Sequence, residues 1–209
     1  MAEEKPAAGG RDLVEYEGKD IVVRADLQLA GDVLFVTFSS RREHGAKGGP
    51  RPDGFGEHFL ASQRIPYICF INKANHWWQT EEVPTAIEQL KRDHRLDRFA
   101  RIVTYGASMG AYGALLFSGA LNASDVLAFS PQYSVAGELP LQPEWRSEMM
   151  GVPILFEPMS RRISPTARVL LISDPLTKLD RQHIAAIEGA RSCERVPVPF
   201  SGQHLTVPS

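Results

Sequence analysis

The feature that most restricts this chain is a repeated change of period. Short continuous apolar runs, rich in β-branched residues, lie at residues 21–23, 33–38, 67–71, 102–105, 126–129, 169–172 and 196–198. Runs without polar alternation belong to strands covered on both faces. Between most of them lie helix-like stretches at 57–63, 83–94, 109–121 and 181–190. In the second of these, Ala86, Ile87 and Leu90 share a face and Pro84 suits a first helical turn. The alternation predicts an α/β fold: a three-layer sandwich with a mostly parallel sheet and helices on both faces. Residues 25–32 are too few for a crossover helix, so the first two runs are expected to form an antiparallel hairpin at one edge.

A chain of 209 residues suits one domain. The small, charged residues 1–12 read as a disordered tail, and 13–209 as a single α/β domain. Residues 131–166 make a long irregular connection containing Trp145, a candidate small cap. The Gly/Pro-rich loop at 44–56 lacks the Lys-Ser/Thr pair of a phosphate loop. A formal net charge of −2 argues against nucleic acid or an anionic membrane as partner, and leaves oligomeric state open.

Cys69 stands in an apolar run and reads as a buried thiol; with Cys193 it makes no disulfide framework, so a reducing compartment is expected. No signal-peptide core or spanning run is evident, and the expected location is the cytoplasm. Neither a His-Glu-x-x-His pattern nor a cysteine pair or carboxylate cluster occurs, so no metal and no cofactor is expected.

Where the run at 102–105 gives way to a helical stretch, the chain reads Gly106-Ala107-Ser108-Met109-Gly110. This is the G-x-S-x-G pattern of a nucleophile held on a sharp strand-to-helix turn. A Cβ two residues to either side would strike its neighbours, and the following helix directs its N–H groups toward developing negative charge. Serine needs a base, and the base an orienting acid. Both expected positions are filled in the order Ser, Asp, His, each just beyond a later strand. His204 follows the last run; Asp174 and Asp180 follow the one before it. Asp174 is preferred, since an N-cap role would explain Asp180 without catalysis.

The Met109 amide is one expected oxyanion donor, with a second from Ser39, Ser40 or Arg41 after the run at 33–38. Arg41 could also bind an anionic part of a substrate. Trp77 and Trp78 follow another strand end; one is expected in the core and the other lining a cleft.

With these residues the chain resembles the α/β-hydrolase superfamily from about residue 20 onward, through the run at 102–105, the elbow, Asp174 or Asp180, and Gly202-Gln203-His204. The resemblance implies Ser108 as nucleophile, His204 as base and an aspartate as orienter. The expected activity is a serine hydrolase cleaving an ester or thioester through an acyl-enzyme, on a small-molecule or glycan-linked acyl ester. An acyltransferase using the same triad and a non-catalytic binding protein on the same fold are the alternatives.

Overall fold

The computed structural model describes residues 14–42 and 53–201; the expected tail at 1–12 lies outside them. The described strands are β1 (Val14–Glu17), β2 (Ile21–Asp26), β3 (Val33–Phe38), β4 (Tyr67–Asn72), β5 (Arg101–Ala107), β6 (Asp125–Phe129), β7 (Arg168–Ser173) and β8 (Glu194–Pro197). The described helices are α1 (Glu57–Ser62), α2 (Glu82–Arg92), α3 (Met109–Leu116), α4 (Pro143–Met149) and α5 (Lys178–Ala190). All eight strands join one sheet in the order β1-β2-β4-β3-β5-β6-β7-β8. β2 runs antiparallel to both β1 and β4, and every other pairing is parallel.

Successive residues of a strand point to opposite faces, and the core divides accordingly. Ile21 and Val23 of β2 and Ile68 and Phe70 of β4 pack in one cluster with Val83 and Ile87 of α2, the apolar helix α3, and Ile184 and Ile187 of α5. Val22, Cys69 and Ile71 point the other way, onto Leu60 of α1. Helices therefore cover both faces. Cys69 is fully buried and unpaired with Cys193, and burial pushes its thiol up to about 12.

The expected hairpin between β2 and β3 does not form. β4 lies between them, and β3 carries backbone pairings on both sides, to β4 and to β5. A strand buried on both faces belongs in the sheet's middle, and a hairpin would have held it beside the antiparallel edge. The short connection is stabilised by the Arg98 guanidinium, which donates to the carbonyls of Leu27 (2.6 Å), Leu29 (2.9 Å) and Gly31 (3.1 Å). The edge pair is β1 with β2; β1, only four residues long and not apolar enough to register as a run, was missed in the sequence.

Helix limits also shift. α3 stops at Leu116, short of residue 121, and α5 begins at Lys178, a turn earlier than the sequence suggested. The 131–166 stretch contains α4 and is bound to the body by buried polar groups. Gln79 Oε1 accepts the amides of Leu155 (2.8 Å) and Phe156 (3.2 Å). The Tyr112 hydroxyl donates to Glu157 Oε1 (3.2 Å), which also accepts the Val135 amide (3.0 Å). No described helix is long and apolar enough to cross a membrane.

The turn between β1 and β2 shows how the edge is anchored. Glu82, the first residue of α2, accepts the amides of Lys19 (2.7 Å), Asp20 (2.9 Å) and Ile21 (3.0 Å). Gly18 allows the approach, because a Cβ there would lie 2.3 Å from Glu82 Oε2. Removing the carboxylate leaves three amides without it, and hydrogen bonds to charged groups are among the stronger ones. Glu82→Ala is expected to destabilise the chain by about 2 to 3 kcal/mol in urea titration, with the β1–β2 edge losing amide-exchange protection first.

Candidate active site

β5 ends at Ala107, α3 begins at Met109, and Ser108 alone makes the turn between them. Its backbone sits at φ 52°, ψ −120°, a conformation natural to glycine at the first central position of a type II′ turn. A residue with a Cβ held there is strained by about 1 to 3 kcal/mol. The turn is enforced from both sides: the Ser108 amide donates to the Phe129 carbonyl (2.9 Å), and its own carbonyl accepts the Tyr112 amide (3.0 Å). The flanking glycines are sterically required. A Cβ on Gly106 would lie 2.3 Å from the Gly110 carbonyl carbon, and one on Gly110 would lie 2.2 Å from the Phe38 carbonyl oxygen.

The contact with Phe38 brings the loop after β3 against the elbow. Ser40 Oγ then donates to the Ala107 carbonyl (3.1 Å). Met109 is the first residue of α3, so its amide has no acceptor one turn back within the helix. Ser39, one expected oxyanion donor, is a correction: its amide extends the sheet ladder to the Phe70 carbonyl (3.0 Å). The Arg42 amide is taken by Asn75 Oδ1 (2.7 Å). Ser40 and Arg41 stand between those two pinned amides, beside the elbow.

The two tryptophans also differ from expectation. Both are fully buried, so neither lines a cleft. Trp78 packs where Gly113 has no side chain and donates from Nε1 to the Met109 carbonyl (2.8 Å). Trp77 packs at a tilt against Trp145 and donates to Glu148 Oε2 (3.2 Å). Their work is to hold α3 and α4. Arg41 is held by the same carboxylate, with its NH2 2.7 Å from Glu148 Oε1.

The register across β5, β6 and β7 sets Ala107 beside Phe129 and Phe129 beside Ile172. Ser108 and Asp174 thus stand at strand ends two spacings apart, about 10 Å. Asp174 is buried; its Oδ1 accepts the Leu176 amide (2.9 Å) in a local turn. Asp180 is also fully buried, and it is not the helix cap: Thr177 occupies that position and Asp180 is the third residue of α5. The reason for preferring Asp174 therefore falls, and both carboxylates are candidates. His204, with Gly202 and Gln203, lies outside the described residues. The chain leading to it lies at the same edge, because the Val198 amide donates to the Ser173 carbonyl (2.9 Å).

Four of the six histidines are described, and each is committed elsewhere. His58 pairs with Asp53 and His94 with Asp97 on exposed surface. His76 Nδ1 accepts the Trp78 amide (3.1 Å) while Nε2 faces the Asp20 carbonyl (3.2 Å). His183 is fully buried; Nδ1 accepts the Tyr133 amide (3.0 Å) and Nε2 donates to the Pro140 carbonyl (3.0 Å). Both rings are held neutral, burial being the main cause of their lowered pKa values. Among the described residues, no cluster of three or more His, Cys, Asp or Glu could hold a metal ion.

Two outcomes follow from these geometries. Ser108→Gly relieves the positive φ, whereas Ser108→Ala keeps it, so the glycine variant is expected to be the more stable by about 1 kcal/mol in thermal or urea unfolding. For His183, the pKa is lower in the folded than in the unfolded chain, so the unfolded chain binds more protons between the two values. Its stabilising contribution is complete above the ordinary histidine value of about 6.5 and declines as pH falls from there through the lowered one. His183→Asn keeps an acceptor for the Tyr133 amide but cannot titrate. The stability gap between the native chain and this variant should narrow as pH falls from about 7 to 5.

No protein-family model matches the sequence, and neither does any curated protein. Solved structures do resemble it. A capsule O-acetyltransferase of Neisseria meningitidis serogroup A aligns with TM-score 0.66 at 12% identity, over 94% of this chain and 90% of that one. Esterase 2 of Thermogutta terrifontis aligns with TM-score 0.60 at 12% identity, over 97% and 87%. The Pyrococcus furiosus esterase Pf2001 aligns with TM-score 0.52 at 15% identity, over 88% and 84%. With its single, mostly parallel eight-stranded sheet and helices on both faces, the chain has an α/β-hydrolase-like fold.

Proposed function

We propose that this chain is a serine-dependent acyl-transfer enzyme that hydrolyses an ester or thioester through an acyl-enzyme on Ser108. The observation that carries the reading is the backbone of Ser108, held at positive φ by two glycines that tolerate no Cβ. Strain of this kind persists where the surrounding structure enforces it, and it lifts the hydroxyl above the strand ends. Ser108 Oγ attacks the acyl carbon as His204 takes its proton. The Met109 amide and one from Ser40 or Arg41 hold the oxyanion. His204 then protonates the departing alcohol or thiol, and water releases the acyl group by the reverse sequence. Asp174 or Asp180 orients the imidazole. Residues 131–166 form a small cap beside the site.

The role of His204 is supported by elimination among the described histidines and by the course of the chain. Ser201, the last residue described before it, follows a segment paired to the end of β7. Three further residues span up to about 10 Å, enough to bring an imidazole between the ends of β5 and β7. A second reading, transfer of the acyl group to an alcohol or sugar hydroxyl, draws on the similarity to the capsule O-acetyltransferase, one structure of which contains CoA. Adding an alcohol acceptor to the esterase assay separates the two: a transferase partitions acyl groups to the acceptor well above its share of water.

A fluorophosphonate probe should label the native chain at Ser108, and Ser108→Ala should lose both labelling and turnover of p-nitrophenyl acetate. His204→Ala should lower kcat by at least about 100-fold, and native kcat/KM should rise through roughly pH 6 to 7. Labelling that persists in Ser108→Ala removes the nucleophile, and a flat profile from pH 5 to 8 removes a histidine base. Ligand binding that survives Ser108→Ala in a chain without turnover would mark a binding protein instead.

A further inference from the structure

We propose that Glu148, on α4, is a positioning residue for the oxyanion loop; the inference rests on the Ser108 acyl-enzyme reading above. Its carboxylate gathers donors from separate segments. Oε1 accepts from Arg41 Nε (2.8 Å) and Asn75 Nδ2 (2.8 Å), with Arg41 NH2 at 2.7 Å, and Oε2 accepts from Trp77 Nε1 (3.2 Å). Glu148 is largely shielded, its side chain 18% exposed, so these bonds are less screened than surface pairs.

The loop after β3 is pinned at its two ends by backbone bonds. The Ser39 amide is bonded to Phe70, and Asn75 bonds both polar groups of the Arg42 backbone, accepting its amide (2.7 Å) and donating to its carbonyl (3.0 Å). Asn75 thus acts as a substitute strand partner, and Glu148 fixes the amide group with which Asn75 does so. The same carboxylate holds the Arg41 side chain. Ser40 and Arg41, the two positions placed to supply the second oxyanion amide, therefore take their geometry from a helix more than a hundred positions away in the chain.

A donor misplaced by a fraction of an ångström loses most of its value in the transition state while substrate still binds. Glu148→Gln keeps the size of the side chain but loses its charge, and presents a donor to a set of donors. The rate constant for fluorophosphonate labelling of Ser108, which reads the oxyanion contacts directly, is expected to fall at least tenfold. For p-nitrophenyl acetate, kcat should fall similarly while KM changes less than threefold. Arg41→Met should show the same loss, and the double variant should be no worse than the poorer single one, since both act on one loop.

Trp145→Phe is the structural control: Trp145 is a buried residue of α4 itself, packed against the Trp77 ring, and donates nothing to the carboxylate. Its stability should fall with the labelling rate unchanged. The proposal is overturned if Glu148→Gln labels at the native rate, if the two losses add, or if Trp145→Phe slows labelling as much at equal loss of Tm. A native chain that takes no label at Ser108 refutes the acyl-enzyme reading itself, which is a separate result.

Discussion

The architecture depends on a contact between two backbones. Gly110, in the first turn of α3, lies so close to the Phe38 carbonyl at the end of β3 that a Cβ there would be 2.2 Å from its oxygen. No side chain separates the helix from the strand, so the loop after β3 is set against the turn that carries Ser108. Every residue of α3 is buried, in keeping with a helix that carries no charged residue on any face. Trp78 closes on the same helix at Gly113, where again only a missing side chain makes room. Close approach, bought with glycine, is what lets the elbow and its neighbouring loop form one rigid object.

Around that object the long connection between β6 and β7 is held by apolar side chains that join the core, among them Val135, Trp145, Phe156 and Met159, and by a set of polar bonds. Gln79, Tyr112 and Glu157 link it to α2's leading loop and to α3, His183 binds it from α5, and Glu148 binds it to the loop after β3 through Arg41. Buried polar groups are costly unless bonded, so each of these side chains favours one docking geometry over its neighbours. The histidines add a chemical condition. His76 and His183 each use Nδ1 as an acceptor for a backbone amide, a role only the neutral ring can fill, so the bond by which His183 holds the connection belongs to neutral rather than acid solution.

Strand and helix content was largely legible because period is a local property. The runs at 33–38, 67–71, 102–105 and 126–129 became central strands, and the elbow pattern fell where the strand became the helix. Pairing was not legible. The short segment after β2 looked like a hairpin, yet β4 takes the place beside β2, since a pairing partner is chosen by the whole sheet and not by loop length. The tryptophans misled for a related reason: position after a strand end suggests a cleft, but Gly113 leaves a hole that an indole fills. Ser39 was misassigned because the ladder continues one residue beyond the apolar run and takes its amide. Glu148 could not be found at all; it is one exposed-looking glutamate in a helix with no catalytic motif.

The sequence by itself determined the class of fold and the turn at Ser108, because both are written in residues close together: apolar periodicity, and glycines two positions either side of a serine. Which amide the sheet ladder takes after β3, which histidines are locked to backbone, and which carboxylate gathers Arg41, Asn75 and Trp77 were decided only by tertiary structure. Those outcomes depend on groups distant in the chain meeting at hydrogen-bond distance, and a pattern of neighbours along the chain does not specify such meetings.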